Sequence, residues 1–214
     1  MSGLRPEQAT TEHCFFVFAV LDAHLTGRPV PEPQFPNVNT ALFVTWNKSG
    51  SSGEHRLRGC IGTLTPRMSH TGLRDYALTS ALRDSRFNPI TAAELPRLSC
   101  KVSLLSCFEE ARGWDDWTVG VHGIQIEFVD PEGHTRSATY LPEVAPEQGW
   151  DVAEAITSLL RKAGYNGPVI PGLLAAIRLV RYQSSVCALT YDQYCAMAKG
   201  KGGVPAPALA AAAF

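Results

Sequence analysis

The run Leu57-Arg58-Gly59-Cys60-Ile61-Gly62-Thr63-Leu64 is strand-like, yet two of its eight residues are glycines. Glycine weakens a strand and offers no side chain to pack, so a pair of them flanking a buried-type residue implies that something approaches the backbone closely. Side chains alternate along a strand, which sets Arg58 and Cys60 on one face and Leu57 and Ile61 on the other. A cation beside a thiol favours the thiolate, the nucleophilic and metal-binding form of cysteine. Against that chemistry stands the ordinary behaviour of a free cysteine, which is to be buried as a small hydrophobe.

The flanking sequence sets this run in a sheet. Pro6 and Glu7 are placed to open a helix whose apolar positions Cys14, Phe18, Leu21 and Leu25 recur at helical spacing before Gly27 ends it. Residues 28–36 carry four prolines and form an extended connector. Residues 41–46 then read as a strand that forms a hairpin with the LRGCIGTL strand across the Gly/Ser loop 47–54. Ser69 is the expected cap of a helix through Leu73, Ala77, Ala81 and Leu82, which stops before the turn Asp84-Ser85-Arg86-Phe87-Asn88-Pro89. Thr91 and Glu94 make a capping box for a short helix ended by Pro96.

Residues 98–105 alternate cleanly, with Leu98, Cys100, Val102 and Leu104 on the core face. Residues 119–129 and 135–141 form a hairpin in which His122 shares the apolar face of Ile124, Ile126 and Phe128, either as a satisfied, half-buried histidine or as a base. Asp151 and Glu154 form another capping box, opening the clearest amphipathic helix in the chain. A strand near residues 177–183 and a helix capped by Thr190 and Gln193 finish the fold. The expected boundaries are one domain over residues 4–199 and a low-complexity flexible tail over 200–214.

Acidic and basic residues nearly cancel, 20 against 19, leaving a net charge of -1 and no electrostatic footprint for nucleic acid. No apolar stretch approaches the ~20 residues that span a bilayer, so no membrane partner is expected. The six cysteines show no Cys-x-x-Cys pair and the six histidines no His-Glu-x-x-His, which leaves reduced thiols and no local metal signature. The chain reads as soluble and intracellular, of the cytoplasm or nucleus.

LRGCIGTL, together with Ser80-Ala81-Leu82-Arg83-Asp84-Ser85-Arg86-Phe87, Glu94-Leu95-Pro96-Arg97-Leu98, Gly120-Val121-His122-Gly123-Ile124, the long block from Ala138 to Asp151 and Leu159-Leu160-Arg161-Lys162-Ala163-Gly164-Tyr165, resembles the AMMECR family in its own order of blocks. The wording of DSRF and LPEVAPEQGWD resembles its eukaryotic branch. The resemblance implies an AMMECR-domain fold and no settled activity or cofactor. It also implies, from related prokaryotic proteins, an association with Memo-like proteins and radical S-adenosylmethionine proteins.

The residues at or beside these blocks supply the candidates. Cys60, His122 and Glu143 are the catalytic candidates, a thiol, a base and a carboxylate that could support nucleophilic catalysis if they met, with the glycine-rich backbone facing an oxyanion. Arg58, Gly59, Gly62, Thr63, Asp84, Arg86 and Gln148 are the ligand-binding candidates, the two arginines suited to clamp a carboxylate or phosphate. A site that docks a partner's peptide needs no chemistry at all. The expected fold is α+β, a mostly antiparallel sheet with flanking helices and possible division into a larger and a smaller subdomain. The favoured function is binding of a small molecule or partner protein in a cleft lined by the LRGCIGTL strand. A cysteine-dependent enzyme acting on a small polar substrate is the alternative.

Overall fold

The first helix, α1 (Thr11–Thr26), starts later than Pro6 because Thr10 is its cap: the Thr10 N-H donates to His13 Nδ1 at 3.1 Å. Every residue from His13 to Ala23 is buried, so α1 is enclosed on all sides instead of presenting one apolar stripe. Gly27, at φ 74°, ends it in the left-handed region that glycine adopts freely. The structure, a computed structural model, describes residues 7–50 and 53–201, so the expected tail lies, beyond Lys201, outside the described residues.

After the proline connector come β1 (Asn39–Ser49) and β2 (His55–Met68), then α2 (Ser69–Leu82), a 3-10 turn (Ala92–Arg97) and β3 (Leu98–Glu110). Ser69 does not cap α2. Its hydroxyl is fully buried and latches the connector, donating to Pro36 O at 3.2 Å and accepting from Val38 N at 3.1 Å. Thr91 and Glu94 do form the expected box, but the 3-10 turn runs through Pro96 instead of stopping at it. The second half comprises β4 (Gly123–Val129), β5 (Thr135–Tyr140), α3 (Val144–Gln148), α4 (Val152–Lys162), α5 (Pro171–Ala175), β6 (Arg178–Thr190) and α6 (Tyr191–Gly200). Asp151 caps α4 through Glu154 N at 2.8 Å, and Thr190 and Gln193 cap α6, both as the sequence requires.

The strands form a six-stranded antiparallel sheet in the order β2-β1-β3-β6-β4-β5, with flanking helices, as expected of an α+β chain. The chain divides into two compact units, one made of the segments before Leu105 and after Ser184, the other of residues 105–184. Each has its own core. In the first, Phe18 meets Trp46 edge to face at 5.0 Å, and Trp46 Nε1 donates to Ala77 O of α2 at 3.1 Å, so a fully buried indole has its one donor satisfied. In the second, Ile124, Ile126 and Phe128 of β4 pack with Ile156, Leu159 and Leu160 of α4, and Glu127 on the opposite side of β4 is exposed.

Candidate functional site

β2 is an edge strand, and its pairing with β1 is interrupted twice. Trp46 pairs with Gly59 and Asn47 with Leu57, which leaves Arg58 as an extra, bulged residue. A bulge breaks the alternation of side chains, and this corrects the expectation that Arg58 stands beside Cys60. The Arg58 guanidinium is drawn instead to Glu94, with Nε to Oε1 at 3.0 Å and a terminal nitrogen to Oε2 at 3.1 Å, and to the carbonyls of Asn88 and Pro89. Lys48 shares the same carboxylate at 2.8 Å. Burial pushes the Glu94 carboxyl up, but the hydrogen bonds from Arg58, Lys48 and the Thr91 N-H outweigh it and hold the group at about 2.

The second interruption lies between Thr40 and Leu42, opposite Thr63 to Arg67. Thr63 is spent there on local geometry, its hydroxyl accepting from Thr65 N at 3.0 Å. Pro66, which has no N-H to give a ladder, sits in the irregular stretch where none is needed.

The two glycines meet the protein's own atoms. A Cβ on Gly59 would lie 2.0 Å from the Ser80 carbonyl oxygen of α2, and one on Gly62 would lie 2.3 Å from the Leu42 carbonyl and the Phe43 ring. The close approach inferred from the sequence is therefore that of a helix and a neighbouring strand.

Cys60 is held by its main chain. Its N-H donates to Asp84 Oδ2 at 2.9 Å, and its carbonyl accepts from the Arg86 guanidinium at 3.2 Å. Asp84 also takes Arg86 Nε at 2.9 Å and a terminal nitrogen at 2.6 Å, so carboxylate and guanidinium form a clasp that pairs with the edge of β2 much as one residue of a further strand would. The Asp84 side chain is 3% exposed while that of Arg86 is 55% exposed. Hydrogen bonding by Arg86 holds the Asp84 carboxyl down at about 2 against the upward push of burial. On the thiol, Thr45 Oγ1 donates to Cys60 Sγ at 3.1 Å. The structure thus brings Cys60, Asp84 and Arg86 together and draws Arg58 away.

His122, Glu143 and Gln148 belong to the unit of residues 105–184. β4 begins at Gly123, so His122 is not on a strand face as expected. It closes the preceding turn, its Nδ1 accepting from Thr118 N at 3.0 Å. A Cβ at Gly123 would meet the Tyr182 ring at 2.3 Å, and that ring, whose hydroxyl donates to Tyr140 O at 3.0 Å, fills the place next to the histidine's neighbour. Glu143 occupies the N-cap position of α3 without a side-chain cap bond; burial pushes the Tyr182 hydroxyl pKa up, the Thr139 hydrogen bond opposes that, and the Glu143 carboxylate adds a smaller upward push. Gln148 ends α3 on an exposed position.

Among the described residues one group, Asp130, Glu132 and His134, gathers three metal-type ligand atoms. Its carboxylate is committed to the β4–β5 turn, with Asp130 Oδ1 accepting from the Glu132 and His134 amides at 3.0 and 2.8 Å and Oδ2 from Arg136 Nε at 2.6 Å. These are the bonds of a hairpin.

The depressed carboxyls set an expected acid response. Asp84, Glu94 and Asp130 are each held at about 2, below their ordinary values of 3.8 to 4.5, so the unfolded chain binds more protons as pH falls through that window and their stabilisation is lost between about pH 4.5 and 2. Burial, helped by the charge of His70, lowers His13 to about 4 from 6.5, which adds a loss of the same sign between pH 6.5 and 4. Urea midpoints should fall in two stages from pH 7 to 2.5. A midpoint that holds constant below pH 4 would contradict the carboxylate assignments.

The AMMECR1 family profile matches residues 14–187. A protein of Arabidopsis thaliana, itself uncharacterised, is 50% identical over 94% of this chain and 94% of its own. The chain belongs to the AMMECR1 family. An uncharacterised Schizosaccharomyces pombe protein is 39% identical over 86% of this chain and 94% of its own length. The AMMECR1 chain also shares its fold with an uncharacterised protein from Pyrococcus horikoshii, whose crystal structure matches with a TM-score of 0.69 at 24% identity, over 86% of this chain and 94% of that one. Two blocks of the AMMECR1 resemblance, LRGCIGTL and DSRF, are hydrogen-bonded to one another in this fold through Cys60, Asp84 and Arg86. Among the described residues no helix is long and apolar enough to cross a membrane.

Proposed function

We propose that this AMMECR1 protein binds its partner along the LRGCIGTL strand, and that the occupant is an extended segment of another protein that adds to the edge of β2. The observation that carries this is the clasp on Cys60. Both main-chain groups of Cys60 turn away from β1, so Thr45 and Cys60 are a non-hydrogen-bonded pair, and Gly62, two residues on and paired with Phe43, turns its N-H and carbonyl to the same outer edge. An edge that offers a donor and an acceptor, beside a half-exposed guanidinium, suits strand addition by a peptide with an acidic residue for Arg86. The six cysteines, none of them in a disulfide among the described residues, support an intracellular setting.

Amide hydrogen exchange tests it directly. In the free protein the Cys60 amide, held by Asp84, should exchange slowly and the Gly62 amide fast. Peptides selected from a random display library against the full chain should slow Gly62. Selected peptides that protect only other segments, or a Gly62 amide already slow in the free protein, would refute strand addition.

A cysteine-dependent enzyme is the second reading, supported by the Thr45 hydroxyl on the Cys60 sulfur and by a nearby Arg86, both of which favour a thiolate. Native labelling with iodoacetamide, mapped by mass spectrometry, should then modify Cys60 faster than the exposed Cys107, and Arg86→Gln should slow it. Reaction slower than Cys107 and insensitive to Arg86 leaves binding alone. The fully buried Cys100 should stay unlabelled in either case.

A further inference from the structure

A cavity of about 840 Å³ lies within the first unit, walled by α1, the proline connector and α6. Phe15, Tyr194, Pro29 and Pro31 give it an apolar lining, and Asp22 lies in its wall. Asp22 is 2% exposed. The Arg28 guanidinium and the Tyr194 hydroxyl, at 2.8 Å, both donate to its Oδ2, and its buried Oδ1 has no hydrogen-bond partner among the described residues. A buried carboxylate oxygen without a donor is costly, and a ligand N-H is the group that would relieve it.

The rim has the same preference. The Lys201 ammonium sits 4.6 Å from the centroid of the Phe15 ring and 2.5 Å from Glu12, so the mouth of the cavity already receives one alkyl ammonium through a carboxylate and an aromatic face. Of the charged lining residues, Arg28 is taken by Asp22 and Lys201 by Glu12, while Glu32 makes no ion pair among the described residues. The cavity's surplus is therefore negative, on walls suited to methylene groups.

We propose that this cavity binds a small aliphatic polyamine, one ammonium donating towards Asp22 Oδ1, another towards Glu32 and Glu12, and the methylenes between them lying against Phe15, Tyr194 and the prolines. Lys201 is the tethered competitor at the mouth. The site lies in the first unit, away from the β2 edge in sequence and assembled from different elements, so it stands whether or not partner binding at β2 does.

Isothermal titration of the full chain with spermidine, and with 1,4-diaminobutane against uncharged 1,4-butanediol, tests it. Spermidine should bind saturably at one site, the diamine more weakly and the diol not at all. Glu32→Gln, at an exposed position, should weaken spermidine by about threefold, and Lys201→Ala should tighten it by a similar factor by vacating Glu12 and Phe15. Asp22→Asn should weaken it by about tenfold or more. If that variant does not fold, the Glu32 and Lys201 variants decide. No saturable binding, binding of the diol equal to that of the diamine, or affinity unchanged in Glu32→Gln and Lys201→Ala would overturn the proposal.

Discussion

Gly59→Val should unfold the first unit at far lower temperature than the parent chain, whereas Cys60→Ser, one residue away, should barely move it. The added Cβ meets a main-chain carbonyl, Ser80 O, at 2.0 Å, and main chain cannot swing aside as a flexible side chain can. Trp46, opposite Gly59 in the ladder and bonded to Ala77 O, holds α2 against the strand, so relief would require moving the helix away from a buried indole. Overpacking of this kind costs ~3 kcal/mol or more, which for a chain of this size lowers the melting temperature by roughly 6–12 °C. Serine is close to cysteine in size, and the bonds holding Cys60 are mostly main-chain, so its cost should stay within ~1 kcal/mol. Calorimetry of both variants settles it. Similar melting temperatures would mean that α2 has room to retreat and that glycine at position 59 answers some other need.

Asp84→Ala should be the second large loss. It removes the acceptor for the Cys60 N-H and the partner of Arg86 in one step. A main-chain donor stripped of its partner costs about 1–3 kcal/mol, while the half-exposed Arg86 can turn to water and adds little. The expected total, ~2 kcal/mol, should shrink as pH falls below about 4 and disappear near pH 2, where the parent's own Asp84 protonates, because the parent has then lost the same interaction. The Cys60 amide should also lose its slow exchange. If stability falls but that amide remains protected, the clasp is not what covers the edge of β2.

The legible parts of this fold were those set by short-range rules. The boxes Thr91/Glu94, Asp151/Glu154 and Thr190/Gln193 lie where their spacing puts them, and the alternation of Leu98, Cys100, Val102 and Leu104 gives a strand with a buried face. The faces of β2 were not legible, since alternation holds only without a bulge and nothing local marks Arg58 as the extra residue. Its real partner, Glu94, looked like a cap and serves as both cap and counterion. Gly59 and Gly62 correctly announced a close approach without saying what approaches. Asp84 and Arg86 were visible as a turn, but a carboxylate and a guanidinium two residues apart carry no sign that they will grip a strand over twenty residues away in sequence.

The first unit is discontinuous in the chain, and this bears on how the protein emerges from the ribosome. Its core needs Leu189, Tyr191, Tyr194 and Ala198, and Cys14 Sγ donates to Cys187 O at 3.1 Å, whereas the second unit is complete by Ser184. During synthesis α1, which has no polar side to show to water, must wait for α6 to be made, roughly 9–35 s at about 5–20 residues per second. The inserted unit can close while the enclosing one is still unfinished. A stop codon anywhere before α6 therefore leaves α1 without its cover, and ribosome-bound chaperones would meet that exposed helix.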